Sequence, residues 1–332
     1  MAIMTTTLLL PSIILLIGLV LLVWSSDIFI DGAASVSVHL AISPLIIGVV
    51  VLGFGTSMPE ILVATLAALD NSPGLAIGNA VGSNIANIAM VLGVAAIISP
   101  IVVKSSILKR ELPILLAISF GAYALVLDGG LGILDGIILV IALILAMIWM
   151  IKANKEINPS DPLSSETIQA VDTMPALSMK KSIVFVIGGL LILMASAKMM
   201  VWGAVEIAHA FEISEAVIGL TIIAIGTSLP ELAAAISAAR KNEADLMIGN
   251  IIGSNMFNIL AVLAVPALLA PSVLDRDMLI IDMPVMLGFT LLMLVFALPR
   301  NGHAVIDKTK GLLLTFGFVA YLVVLYVRST HA

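Results

Sequence analysis

Glu60 and Glu231 are the residues of this chain best placed to do chemistry. Glu60 closes the run Gly55-Thr56-Ser57-Met58-Pro59-Glu60, and Glu231 closes Gly226-Thr227-Ser228-Leu229-Pro230-Glu231. A second polar run follows each acid. One is Gly78-Asn79-Ala80-Val81-Gly82-Ser83-Asn84 with Asn87; the other is Gly249-Asn250-Ile251-Ile252-Gly253-Ser254-Asn255 with Asn258. Every position lies 171 residues from its counterpart without a gap, from Gly48 and Gly219 to Pro100 and Pro271. Both acids sit deep in apolar sequence. An acid at the centre of a membrane helix costs at least about 2.5–3.5 kcal/mol and usually marks an ion or substrate path. Two carboxylates side by side repel each other, and a divalent cation between them would neutralise the pair.

The neighbouring residues suit the same task. Proline has no N–H and clashes with the carbonyl four residues back, here Gly55 and Gly226. Each helix should break there and turn carbonyls of residues 53–56 and 224–227 toward a cavity. Broken membrane helices are tolerated where the freed backbone lines a polar site, and the negative end of the first half-helix suits a cation. The plainer reading makes Ser57-x-x-Glu60 and Ser228-x-x-Glu231 capping boxes. Both can hold, but capping alone is a poor reason for a mid-membrane acid. Asn79, Ser83 and Asn87 recur every four residues and share one helix face, as do Asn250, Ser254 and Asn258. Their oxygens are hard neutral ligands for Na⁺ or Ca²⁺. Ligation is expected of Ser83, Asn87, Ser254 and Asn258, and close helix packing of Gly78-xxx-Gly82 and Gly249-xxx-Gly253. Asn84 and Asn255 lie about 100° around the helix from the serines and are expected to cap or pack.

Other charges give weaker signals. Asp27 corresponds to Lys198, and Asp31 lies a turn beyond Asp27. Pairing across an interface is one option; snorkelling near helix ends is the favoured one. Glu111 and Asp282 correspond too, each two residues before a proline, and read as helix-start acids that complement the dipole. His39 and His209 form no metal set.

The elements that must position these groups are membrane helices. The chain is 61% hydrophobic and 11% charged, with a mean hydropathy of +1.23, against about 25% charge in a soluble domain. A bilayer core about 30 Å thick needs about 20 apolar residues per helix. Ten spans are predicted, at 8–34, 43–69, 75–99, 111–127, 131–151, 183–209, 214–239, 245–270, 278–298 and 311–327. The chain thus reads as an all-α membrane protein with ten transmembrane helices in two inverted-topology five-helix repeats. Five is odd, so the second half enters from the opposite side, a transporter signature. Helices 2, 3, 7 and 8 should be broken or kinked around a central cation site. The halves are 1–151 and 183–332. Residues 152–182, rich in Ser, Pro, Asp and Lys, read as a cytoplasmic linker too short for a sensor domain. The absence of cysteine excludes disulfides and thiolate metal sites. No basic segment precedes the first apolar run, which is read as a span and not a cleaved signal.

Charge sets the orientation. With both termini outside, twelve of the fifteen Lys and Arg residues fall in cytoplasmic loops; only Arg276 and Arg328 fall outside and Lys198 lies in span 6. That is a strong positive-inside bias. The net charge of −6 says little about partners, since most of the surface faces lipid.

With these residues in place, the chain resembles the cation/calcium exchanger superfamily, and most of all its prokaryotic sodium/calcium exchangers. The two Gly-Thr-Ser-x-Pro-Glu motifs carry the resemblance, each followed by Gly-Asn-x-x-Gly-Ser-Asn-x-x-Asn, in a ten-span layout covering nearly the whole chain. The resemblance implies antiport of Na⁺ against Ca²⁺ through four clustered sites. Glu60 and Glu231, with oxygens of Thr56 and Thr227, would hold Ca²⁺. Na⁺ would use those acids, Ser57, Ser83, Ser228, Ser254 and the carbonyls of Gly53 and Ala224. Asn87 and Asn258 would line the central position. The archaeal exchanger has Asp where this chain has Asn258, which removes one charge and leaves stoichiometry and proton competition open. The resemblance also implies that long, tilted spans 1 and 6 slide past the core.

The expected function is secondary active antiport of Na⁺ for Ca²⁺ across the cytoplasmic, inner membrane, by a multi-pass monomer with both termini outside. No cofactor and no nucleic-acid partner is expected; the partners are the lipid bilayer and inorganic cations. An H⁺/cation exchanger or a K⁺-dependent exchanger is the alternative within transport, and a passive cation channel the alternative from another class. An enzyme is disfavoured, since no nucleophile–base pair or His-based metal motif is present.

Overall fold

The computed structural model describes residues 2–40, 42–103, 107–155, 177–211, 224–299 and 304–331. The described chain is helical apart from four two-residue strands. It opens with α1 (Ala2–Leu40). Then α2 (Pro44–Ile47), a π segment Gly48–Gly53 and the turn Phe54–Thr56 lead into α3 (Met58–Leu69). Next, α4 (Pro73–Ala86) runs through a π segment, Asn87–Leu92, into a short helix, Gly93–Ile98. The first half continues with α5 (Leu112–Leu125) and α6 (Ile133–Lys155). The second contains α7 (Met179–Ala210), α8 (Ala224–Thr227) and α9 (Leu229–Arg240). It then has α10 (Ala244–Phe257), a π segment Asn258–Val262 and a short helix Ala264–Leu269. It ends with α11 (Met283–Ala297) and α12 (Lys308–His331).

Eight of the described helices are long and apolar enough to cross a membrane; α5 is apolar but shorter. The predicted span 214–239 lies partly outside the described residues, and its described part is α8 with α9. The linker prediction, 152–182, lies largely outside them.

Correspondence at 171 residues extends from sequence into conformation. Asn71 and Asn242 both take positive φ, 56° and 60°, in the turns that follow α3 and α9. Asparagine tolerates this left-handed region because its short side chain can hydrogen-bond locally. The turns close alike, with Ser72 N–H on the Ala67 carbonyl and Glu243 N–H on the Ala238 carbonyl, each at 2.8 Å. Helices α3 and α4 therefore fold back on each other as α9 and α10 do. The π segments at Asn87 and Asn258 begin at equivalent residues.

The halves interleave. The N-terminal half's β1 (Ile101–Val102) pairs antiparallel with β4 (Val305–Ile306), and β2 (Gly130–Leu131) with β3 (Ser272–Val273). Likewise α12 packs on the short helix Gly93–Ile98, and α6 on Ala264–Leu269. In the most apolar 18 residues of Pro73–Ile98 and Ala244–Leu269, 78% and 83% are buried, against 22% for Leu8–Leu40 and Met179–Ala210. The kinked helices are thus the core, and α1 and α7 form a flank. These two run antiparallel, Gly18 lying against Met200 and Gly32 against Val186. At 39 residues, α1 is about 58 Å long and must tilt or protrude.

Close approach explains two glycine pairs. A Cβ on Gly53 would lie 2.7 Å from Gly253 Cα, and one on Gly48 2.9 Å from Gly249 Cα. Gly249-xxx-Gly253 therefore packs as expected. Around Gly78 and Gly82, by contrast, no described residue comes as close, Met278 at 4.0 Å being the nearest to Gly78. The positions equivalent to Gly48 and neighbours in the second half fall at 219–223, outside the described residues.

Two charge expectations need correcting. Asp27 does not snorkel: Ser237 Oγ donates to its carboxylate at 2.5 Å, and Lys241 Nζ reaches its backbone carbonyl at 2.9 Å and Asp31 at 2.5 Å. Sequence separation of over two hundred residues hid this contact. Asp282 does more than complement a dipole, since Tyr321 and Arg328 each bond to it at 3.0 Å and tie α12 to the start of α11.

Candidate cation site

The helix break falls at Ser57 and Ser228. Their backbones leave the helical region at φ −82°, ψ 2° and φ −89°, ψ 6°. Pro59 and Pro230 then occupy the first turns of α3 and α9, where the missing N–H would have no partner anyway. The prolines therefore start the second half-helices more than they distort the first. Glu60 and Glu231 follow in those same turns, where the helix dipole favours an anion. Neither serine side chain caps its helix, and neither carboxylate forms a hydrogen bond. The capping-box reading is not realised.

Both acids are fully buried, and they lie near enough for Glu231 to repel Glu60. Ser83 stands close to the Glu60 carboxylate, and Thr56 and Ser254 close to that of Glu231, without reaching hydrogen-bond geometry. Thr56 knits the halves together. Its hydroxyl lies 3.0 Å from the Leu52 carbonyl, 3.1 Å from Asn250 Oδ1 and 3.1 Å from Ser254 Oγ. Ser254 Oγ also lies 3.4 Å from the Gly53 carbonyl, which accepts Ser57 N–H at 3.2 Å.

Around this knot lie buried polar atoms with no hydrogen-bond partner. Besides Asn250 Nδ2 and Asn255 Oδ1, they include both oxygens of Glu60 and of Glu231, both amide atoms of Asn87 and of Asn258, and the hydroxyls of Ser57 and Ser228. The acids, Asn87 with Asn258, and Ser57 with Ser228 form three residue pairs, each related by the 171-residue offset. The two asparagines open the π segments, a distortion frequent at functional sites.

The remaining sequence-predicted residues lie on the short helix before the second break. Thr227 is half-buried at the end of α8, and Ala224 begins that helix. Asn84 and Asn255 donate to the Ala80 and Ile251 carbonyls of their own helices at 2.8 and 2.7 Å. Sequence reasoning undervalued Asn79 and Asn250. The Asn79 amide donates to the Glu60 carbonyl at 3.2 Å, and Asn250 meets Thr56. Their place on the serine face was the available signal. Pro59, Leu66, Lys198, Thr227 and Pro230 line an apolar cavity of about 430 Å³ beside the site.

Chemically, this is a pair of buried carboxyl groups among hydroxyl and amide oxygens, a donor set of the kind a hard cation takes. Comparison with known proteins shows the family. The family model described as sodium/calcium exchanger protein matches residues 10–152 and 181–327. The inner membrane protein YrbG of Escherichia coli is 40% identical over 97% of this chain and 98% of its own. The sodium/calcium exchanger MaX1 of Methanosarcina acetivorans is 31% identical over 95% and 98%. A solved structure of the sodium-calcium exchanger NCX_Mj, soaked with Na⁺ and Sr²⁺, superposes with a TM-score of 0.81 at 34% identity, covering 95% of this chain and 98% of that one. The chain is a multi-pass membrane protein and belongs to the sodium/calcium exchanger family.

Proposed function

We propose that this chain is a secondary active antiporter that exchanges Na⁺ for Ca²⁺ by alternating access. One observation carries the reading: the mirrored set of buried, unpartnered polar atoms on Ser57 and Ser228, Glu60 and Glu231, and Asn87 and Asn258. An unsatisfied buried polar group costs about 1–3 kcal/mol, and more when charged, so a set of this size implies a ligand that satisfies it. Ca²⁺ takes Glu60 and Glu231 with oxygens of Thr56 and Thr227. Na⁺ takes the acids with Ser57, Ser83, Ser228, Ser254 and the carbonyls of Gly53 and Ala224, and Asn87 and Asn258 line the centre. Because both ions need the same carboxylates, each displaces the other, and that competition couples their movements. Binding at the Gly53 carbonyl asks the Ser254 hydroxyl to turn away.

The matching turns, breaks and π segments at one constant offset support two inverted five-helix halves, 1–151 and 183–332, joined by a cytoplasmic linker. Hydropathy supports the ten-span count, and the charge bias supports the placement of both termini outside. The name of the Escherichia coli relative supports the inner membrane. The protein works as a monomer without a cofactor.

Purified protein in Na⁺-loaded liposomes should take up radiolabelled Ca²⁺ when diluted into Na⁺-free buffer. Imposing Na⁺, K⁺ and H⁺ gradients separately identifies the driving ion. Uptake indifferent to the Na⁺ gradient removes the proposal, and uptake driven by H⁺ alone assigns the protein to proton exchange.

A further inference from the structure

The flanking helices carry a charge pattern that the cation site does not use. Asp27 of α1 and Lys198 of α7 are equivalent at the 171-residue offset, and so are Asp70 and Lys241, the residues that cap the C-termini of α3 and α9. The sign is reversed at both positions. An attraction between α1 and the end of α9 is therefore matched by one between α7 and the end of α3.

Only one of the two contacts is made. Lys241 Nζ bonds to the Asp27 carbonyl at 2.9 Å and to Asp31 at 2.5 Å, and Ser237 bonds to the Asp27 carboxylate at 2.5 Å. At the mirrored place Lys198 and Asp70 are both exposed. The apolar cavity of about 430 Å³ separates α7 from α3, with Lys198 and Leu66, the counterpart of Ser237, in its walls. Correspondingly α1 packs along α9, whereas α7 makes no comparable contact with α3.

We propose that these are alternating latches. Asp27, Asp31, Ser237 and Lys241 hold the face at the end of α9 shut. Lys198 and Asp70 close the opposite face when α1 and α7 slide and the first latch parts. The counterpart of Asp31 is Trp202, so the first latch has one anion more and the resting protein favours the state seen. These are positioning residues, remote from the ions. The inference rests on the alternating-access reading but not on which ions are carried.

A single thiol reports the latch, because the chain has no cysteine. Ala34 is buried and shares the α1 face of Asp27 and Asp31. Full-length Ala34→Cys protein, in inverted membrane vesicles, is labelled with a membrane-impermeant maleimide. Adding Lys241→Gln should raise the labelling rate about two- to fivefold, the range of a partly exposed ion pair. Lys241→Arg should leave it unchanged, and Asp70→Asn should lower it by a similar factor. Opposite signs cannot come from general misfolding, and monodispersity on gel filtration checks each variant. Equal rates in Lys241→Gln and the parent, or a faster rate in Asp70→Asn, overturn the proposal. If the labelling shifts hold while Na⁺ fails to drive Ca²⁺, the latch stands and the ion assignment falls.

Discussion

At the scale of residues, two buried carboxyl groups without a hydrogen-bond partner sit among hydroxyl and amide groups. Removing one carboxyl should abolish transport and leave the fold intact. Glu60→Gln or Glu231→Gln is expected to lower Ca²⁺ exchange at least about a hundredfold, since binding a divalent cation with one carboxylate forfeits a charge-assisted contact and more. The same variants should melt within a few degrees of the parent without ions, because glutamine keeps the volume of the glutamate it replaces. Thermal denaturation with and without Ca²⁺ checks both, as Ca²⁺ should raise the melting temperature of the parent only. Ser57→Ala or Ser228→Ala, measured by the Na⁺ dependence of exchange, should shift half-activation about five- to tenfold, the scale of one hydrogen-bonding group. These residues were legible in the sequence because mid-membrane acids are rare and these recur with their neighbours. The knot of Thr56 with Asn250 and Ser254 was not, since it joins residues about two hundred positions apart.

At the scale of elements, the helices are broken where the ligands are. The sequence located the breaks through proline but misjudged their form, because Pro59 and Pro230 lie inside new first turns and the serines before them do the bending. The π segments gave no compositional sign; Asn87–Leu92 reads like any apolar helix. Packing of the π segment Gly48–Gly53 on α10 depends on glycine facing glycine. Gly253→Ala should therefore destabilise the protein by about 1–3 kcal/mol, the usual cost of overpacking, because its Cβ would meet the backbone of Val49. Gly121→Ala in α5 has open space around it and should instead stabilise by about 0.5–1 kcal/mol through helix propensity. Melting of the two variants side by side gives opposite signs if the close approach is real.

At the scale of the whole molecule, each half completes the other. Strands β1 and β4, and β2 and β3, pair across the halves, and α6 and α12 each pack on the other half's kinked helix. Repetition and hydropathy point to two similar halves; they held no information on which helix crosses to which partner, because that depends on contacts between distant residues. Residues 1–151 and 183–332 expressed separately should be unstable, whereas co-expressed halves should co-purify and bind Ca²⁺. Where the cation sits decides the proposed function most directly. In crystals of the purified protein soaked with Sr²⁺, the anomalous difference map should show its strongest peak between the carboxylates of Glu60 and Glu231, and Glu60→Gln should remove it. A strongest peak elsewhere, or one that survives in Glu60→Gln, would contradict it.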